Sequence, residues 1–233
     1  MPTAQHLRRT NQFQASVTNL TSLSPRMRRI TLSSPEFAEA DWPLGCDIAV
    51  VLAGPDGREV RRRYTVRSAR DDSLVVDAVL HGHGPGSTWA ADLRPGDSVT
   101  FFGPRGEIEL VEADWLLALT DESGLPAIAA LAEELEARPI TVLAEIADEA
   151  EHYPLPANAT AHWLPRNGRA AGSAELLTEA LARFEPPAGR GYAYLLGESR
   201  AVVRLRDELA TLGLGRAEVY AKGYWNLNSR PAR

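Results

Sequence analysis

The sequence is poor in the residues from which several kinds of site are built. Among 233 residues there is one cysteine, Cys46. A disulfide, an iron–sulfur ligand set or a cysteine zinc site therefore cannot be assembled within one chain. Lysine is nearly absent: Lys222 stands beside 24 arginines, a skew that reads as compositional. There is no basic excess to suit nucleic acid, since the formal net charge is −6. No apolar run approaches the roughly 20 residues that a membrane helix needs, and Met1–Leu20 holds no signal-peptide core. These absences predict a soluble, cytoplasmic protein without membrane insertion. No heptad pattern, internal repeat or low-complexity tract is present, and a monomer is the default expectation. The glycine fingerprint Gly-x-Gly-x-x-Gly of dinucleotide folds is missing as well.

What is present divides near residue 112. Residues 1–112 carry 13 arginines against 14 acids, and residues 113–233 carry 12 cations against 17 acids. The first part has short alternating or apolar segments, Gln14–Leu20, Arg28–Leu32, Asp47–Leu52, Arg62–Arg67, Ser73–His81 and Ser98–Phe102. They are separated by turn chemistry such as Ser24-Pro25, Gly54-Pro55-Asp56-Gly57 and Arg94-Pro95-Gly96-Asp97. Regular short strands with Gly/Pro turns predict an antiparallel β-barrel. From Ala113 onward buried-strand runs alternate with helical periods. Strands are expected over Trp115–Thr120, Pro139–Ile146, Ala161–Leu164, Tyr192–Leu196 and Ala217–Tyr220, and helices over Leu125–Arg138, Ala174–Phe184 and Ser199–Leu212. This alternation predicts a doubly wound parallel sheet. The domains are placed at 1–112 and 113–233.

Two segments carry the chemistry. Arg61-Arg62-Arg63-Tyr64-Thr65-Val66-Arg67 runs a cationic stretch into a strand. Arg62 and Tyr64 share one face of that strand and Thr65 lies on the other. A flavin at a barrel edge needs a cation for its pyrophosphate, an aromatic face and a hydroxyl donor near ring atom N5, and Arg-x-Tyr-Thr supplies all three. The second segment, Asp77 to Ala90, ends a strand in His81-Gly82-His83-Gly84-Pro85-Gly86-Ser87. A helix starting at Ser87, capped by its hydroxyl, would aim N–H groups at a phosphate, and the glycines would let the backbone come close. His81 and His83 lack the partners and spacing of a metal site.

Together with later motifs these segments resemble the siderophore-interacting protein family of FAD enzymes, in the ferredoxin-reductase-like superfamily. The later motifs are Phe102-Gly103-Pro104-Arg105-Gly106, Thr120-Asp121-Glu122-Ser123-Gly124-Leu125-Pro126-Ala127-Ile128, Leu195-Leu196-Gly197-Glu198-Ser199 and Tyr220-Ala221-Lys222-Gly223-Tyr224-Trp225. The resemblance spans about residues 15–226. It implies an FAD-binding barrel followed by an NAD(P)-binding-like domain. It also implies reduction of ferric siderophores by NADH or NADPH through the flavin, with ferredoxin as an alternative donor. Arg62 would pair with the FAD pyrophosphate, Tyr64 would pack on the flavin and Thr65 would approach N5, with Val66 beside them. Asp77, Val79 and His81 would line the ribityl and adenosine side, with Gly84, Gly86 and Ser87 at phosphate. Thr120, Asp121, Glu122, Gly197 and Glu198 would serve the second nucleotide, and Trp225 would cover the ring. Arg105, Lys222 and Arg169 would meet an anionic chelate, and no resident metal is expected. Two positions depart from the family pattern: Thr120 stands where glycine is usual, and Asn226 where arginine often follows Gly-Tyr-Trp. A general flavin reductase acting on other acceptors and a flavin-free siderophore carrier are the competing expectations.

Overall fold

In the computed structural model, which describes residues 11–54 and 56–227, the first half closes into a barrel. Its strands are β1 (Asn11–Ser24), β2 (Met27–Ser33), β3 (Asp47–Ala53), β4 (Glu59–Arg70), β5 (Ser73–Val79) and β6 (Ser98–Arg105). They join antiparallel in the order β1-β2-β5-β4-β3-β6. Alternation sends one side of each strand inward: Phe13, Ala15 and Val17 of β1 are buried, as are Leu74, Val76 and Ala78 of β5. Phe13, Phe37, Trp42 and Phe101 meet ring to ring at the centre of this core. An α-helix, α1 (Gly84–Asp92), lies between β5 and β6 in the chain and packs Ala90 against the barrel core. Arg28 of β2 anchors the end of α1 by donating to the carbonyls of Ala90, Ala91 and Leu93.

The second half is a five-stranded parallel sheet, β7 (Trp115–Asp121), β8 (Ile140–Ile146), β9 (Ala159–Pro165), β10 (Gly191–Glu198) and β11 (Val219–Trp225), in the order β11-β10-β7-β8-β9. The helices are α2 (Leu125–Glu134), α3 (Glu175–Leu181) and α4 (Ser199–Leu209). The face with α2 packs with Met27 and Ile108 from the first half, and α3 and α4 cover the opposite face. The expected barrel and doubly wound sheet are both present. Strand order reverses between β7 and β10, which makes the crevice beyond their carboxyl ends the place where open sheets receive ligands.

Most element boundaries shift by a few residues from the expectation, and three of the shifts bear on the site. Helix α2 stops at Glu134 because Glu136 turns to a φ of 54° ahead of Pro139. Helix α1 begins at Gly84, three residues earlier than Ser87. Strand β11 starts at Val219 and runs on through Trp225, so Tyr224 and Trp225 are strand residues held in register against β10. Pro55, the centre of one expected turn, lies outside the described residues.

The halves are tied by charge as well as by packing. Asp77 accepts from Arg29 Nε and Nη2, both at 2.8 Å, and from the Tyr153 hydroxyl of the segment after β8. Glu151 accepts from the Ser24 hydroxyl and from the Arg26 N–H. Arg67 grips Glu133 of α2 through two hydrogen bonds, at 2.7 and 2.5 Å.

Candidate functional site

Strand β4 has a different site on each face. On one face lie Arg62 and Tyr64. The Tyr64 ring packs on Trp89 of α1 with centroids 5.2 Å apart, and its hydroxyl donates to the Gly86 carbonyl at 3.2 Å. The loop from β5 to α1 folds back over these residues. Gly82 and Gly84 adopt φ values of 80° and 78°, which an L side chain rarely tolerates. A Cβ at Gly86 would stand 2.9 Å from Tyr64 Oη and 3.2 Å from Arg62 Cγ. Only glycine lets α1 approach the strand this closely. The imidazole of His81 faces His83 at 4.5 Å between centroids. Partial desolvation, with help from His83 and Arg62, holds its pKa below the usual value. The N-terminus of α1 has no side-chain cap, so its first N–H groups remain suited to an anion. An open groove of about 420 Å³ continues from there, between Leu52–Gly54 and Gly84, Pro85, Thr88, Trp89 and Asp92.

The expected set Arg62, Tyr64, His81, Gly84 and Gly86 is therefore brought together. Four neighbours are arranged differently. Ser87 does not cap the helix: it is buried in the first turn and its hydroxyl accepts from the Gly82 N–H at 3.1 Å, which sets the loop. Val66 turns its side chain into the barrel core and gives its N–H to the Cys46 carbonyl, so it offers a ligand no donor. Asp77 is fully committed to Arg29 and Tyr153, and Val79 packs against the core of the second half. Both point from β5 toward the α2 side because alternation fixes their face.

On the other face of β4, Thr65 is buried at the seam between the halves. It stands opposite Asp47 of β3 in the strand pairing. Tyr224 of β11 brings its hydroxyl beside Thr65 without a hydrogen-bonded partner among the described residues, and burial pushes its pKa up. Lys222 Nζ reaches Asp47 Oδ2 at 3.1 Å and lies 5.2 Å from the Tyr224 ring centroid. Arg105 is exposed and pairs across from Asp47 on β6. Arg169 is exposed on the loop after β9.

The switch point between β7 and β10 gathers Thr120, Asp121, Glu122, Gly197 and Glu198. Asp121 is fully buried, and desolvation raises its pKa. It accepts from the N–H and hydroxyl of Ser123, from the Glu198 N–H at 3.1 Å and from Trp225 Nε1 at 2.7 Å. It thereby ties together the ends of three strands. Glu198 Oε2 accepts from the N–H groups of Arg200 and Ala201, at 2.6 and 2.8 Å, so it fills the α4 N-terminus with its own carboxylate. Glu122 pairs with Arg166, which also holds the buried Glu145. A Cβ at Gly124 would overlap both Thr120 Oγ1 and Leu196 Cβ, so glycine at 124 is required by β10 as well as by the threonine at 120.

Sequence patterns gave no hint of Asp47, Tyr153, Arg29 or Arg166. Each acquires its partner from a segment distant in the chain.

Residues 47–108 match the model of the siderophore-interacting FAD-binding domain, and residues 113–228 match that of the siderophore-interacting protein. A siderophore utilization protein from T. fusca shares the architecture. It is 32% identical, with a TM-score of 0.86 over 96% of each chain. The chain belongs to the siderophore-interacting protein family. Among other members, the ferric vibriobactin reductase ViuB of Vibrio cholerae is 32% identical over 73% of this chain. The match spans 66% of that relative's length. The NADPH-dependent ferric-chelate reductase of Escherichia coli K12 is 28% identical over 75% of this chain and 70% of its own length.

Proposed function

We propose that this member of the siderophore-interacting family is an FAD-dependent reductase of ferric siderophores, drawing on NADH or NADPH. The observation that carries the reading is the convergence of Arg62, Tyr64, His81 and the uncapped α1 N-terminus on one face of β4, with Thr65 at the seam on the other. The residues present fit an FAD. An arginine and a helix N-terminus suit a pyrophosphate. The close approach at Gly86 shapes its cradle, and beside Thr65 the buried atoms Asp47 Oδ1 and Tyr224 Oη have no hydrogen-bond partner among the described residues.

When bound, FAD supplies the exchange between a two-electron hydride donor and one-electron ferric iron. The protein binds and orients. Arg62 and the α1 N-terminus hold the phosphates, Tyr64 gives the ring system an aromatic wall, and Thr65 presents a hydroxyl at the seam. Trp225, fixed by Asp121, closes the far side. The α4 N-terminus is filled by Glu198 and that of α2 is buried, so the phosphates of a nicotinamide donor would lie in the crevice beyond the carboxyl ends of β7 and β10, beside Thr120, Glu122, Gly197 and Glu198. Arg105 would meet an anionic ferric chelate at the exposed edge, and ferrous iron leaves because hard oxygen ligands hold it less tightly.

The test is an anaerobic absorption spectrum of the purified protein loaded with FAD, before and after NADH or NADPH and then after a ferric siderophore. Flavin bands that bleach with the nucleotide and return with the chelate are expected. Bands that bleach only with dithionite or reduced ferredoxin would replace the donor. A protein that takes up no FAD would overturn the proposal.

A further inference from the structure

Asp47 opens β3 in a buried position at the seam. Thr65 of β4 stands opposite it, Arg105 of β6 pairs on its other side, and Lys222 reaches it from β11. Its two oxygens are treated unequally. Oδ2 accepts from Lys222 at 3.1 Å. Oδ1 is covered and receives no hydrogen bond among the described residues, and Arg63 Nε stands 3.9 Å from it. A buried carboxylate oxygen left without a donor is costly and asks for an explanation.

The groups around it supply one. Lys222 is a donor, Asp47 Oδ1 an acceptor, and the Thr65 hydroxyl a donor. A donor–acceptor–donor row complements an acceptor–donor–acceptor edge, which is the pattern of a cyclic imide: carbonyl, N–H, carbonyl. The pyrimidine edge of an oxidised flavin ring is such an imide, and its only ring N–H is at N3. We propose that Asp47 is the residue that reads this edge, accepting from N3–H while Lys222 and Thr65 donate to the flanking carbonyls. The proposal rests on the FAD reading and deepens it. It reassigns Lys222 from the anionic chelate to the cofactor. A cation at a flavin carbonyl favours the electron-rich reduced ring, so Lys222 also tunes the potential. Arg63 stands beside this edge, its side chain 56% exposed and its Nε 3.9 Å from Oδ1.

The experiment titrates the full chain, freed of flavin, with FAD and with N3-methyl-FAD, following flavin fluorescence. Thermal melts check each variant's fold. The wild type should hold FAD about 10- to 100-fold more tightly than the methylated analogue, the range for a hydrogen bond to a charged group. Asp47→Ala should bind both alike at the weaker level. Asp47→Asn, which keeps an oxygen of the same reach, should keep a reduced preference and provides the comparison if the alanine variant does not fold. Lys222→Met should make the midpoint potential of the bound flavin more negative. Equal binding of both flavins by the wild type would overturn the role of Asp47 and leave the FAD reading standing. A full preference surviving in Asp47→Ala would also overturn it. Binding of neither flavin would overturn both.

Discussion

Replacing Asp77 with asparagine separates two roles for one carboxylate. The family resemblance puts Asp77 on the ribityl and adenosine side of FAD, whereas the structure gives both its oxygens to Arg29 and Tyr153 across the seam. The Asp77 side chain has no exposure and that of Arg29 has 29%. Breaking a buried ion pair costs about 3–5 kcal/mol. Arg29 can recover part of its hydration, so the lower end, about 3 kcal/mol, applies. For a chain of this length that corresponds to a melting shift of about 6–12 °C. The assay is thermal and urea unfolding of wild type and D77N, each with and without saturating FAD. A structural role lowers stability by the same amount in both conditions, and FAD affinity measured below the transition stays unchanged. A loss under about 1 kcal/mol, or one that appears only with FAD present, would refute the argument and return Asp77 to the cofactor.

Arg62→Ala should weaken FAD binding about 10- to 100-fold, as expected for a lost charge-assisted hydrogen bond, and flatten its salt dependence in fluorescence titrations. Gly124→Ala should destabilise the fold by about 1–3 kcal/mol through overpacking against Thr120 and Leu196. The pair Thr120→Gly with Gly124→Ala should recover only part of that loss in urea unfolding, since Leu196 Cβ stays in the way, and additive losses would disprove the coupling. Glu198→Ala should cost about 1–2 kcal/mol by uncapping α4, with Glu198→Gln in between. His81 has its pKa lowered in the protein, so protonation is disfavoured on folding and stability falls as pH drops below the usual histidine value near 6.5. A bound pyrophosphate reverses that bias, so FAD should bind more tightly as pH falls below 6.5, with proton uptake measurable by calorimetry in buffers of different ionisation enthalpy. Loss of this pH dependence in His81→Ala would confirm the group, and its persistence would exclude it.

Local rules were sufficient for most of the architecture. Short alternating or apolar segments between Gly/Pro turns marked the six barrel strands, and apolar runs alternating with helical periods marked the parallel sheet, because these signals act between residues a few positions apart. The facing of Arg62 and Tyr64 on one side of β4 and Thr65 on the other follows from strand geometry alone. Tertiary structure decided which of these residues remain available to a ligand. Asp77, Asp121 and Glu198 looked like cofactor contacts in the sequence, yet each spends its carboxylate on partners brought in by the fold: Tyr153 from 76 positions away, Trp225 from 104 and the N–H groups of α4. Gly124 owes its lack of a side chain to Thr120 and, across the sheet, to Leu196. Asp47 gave no sign of a site until β4 and β11 enclosed it and left one oxygen without a donor. A carboxylate's role depends on which donors surround it, and those donors are set by long-range packing that local periodicity does not encode.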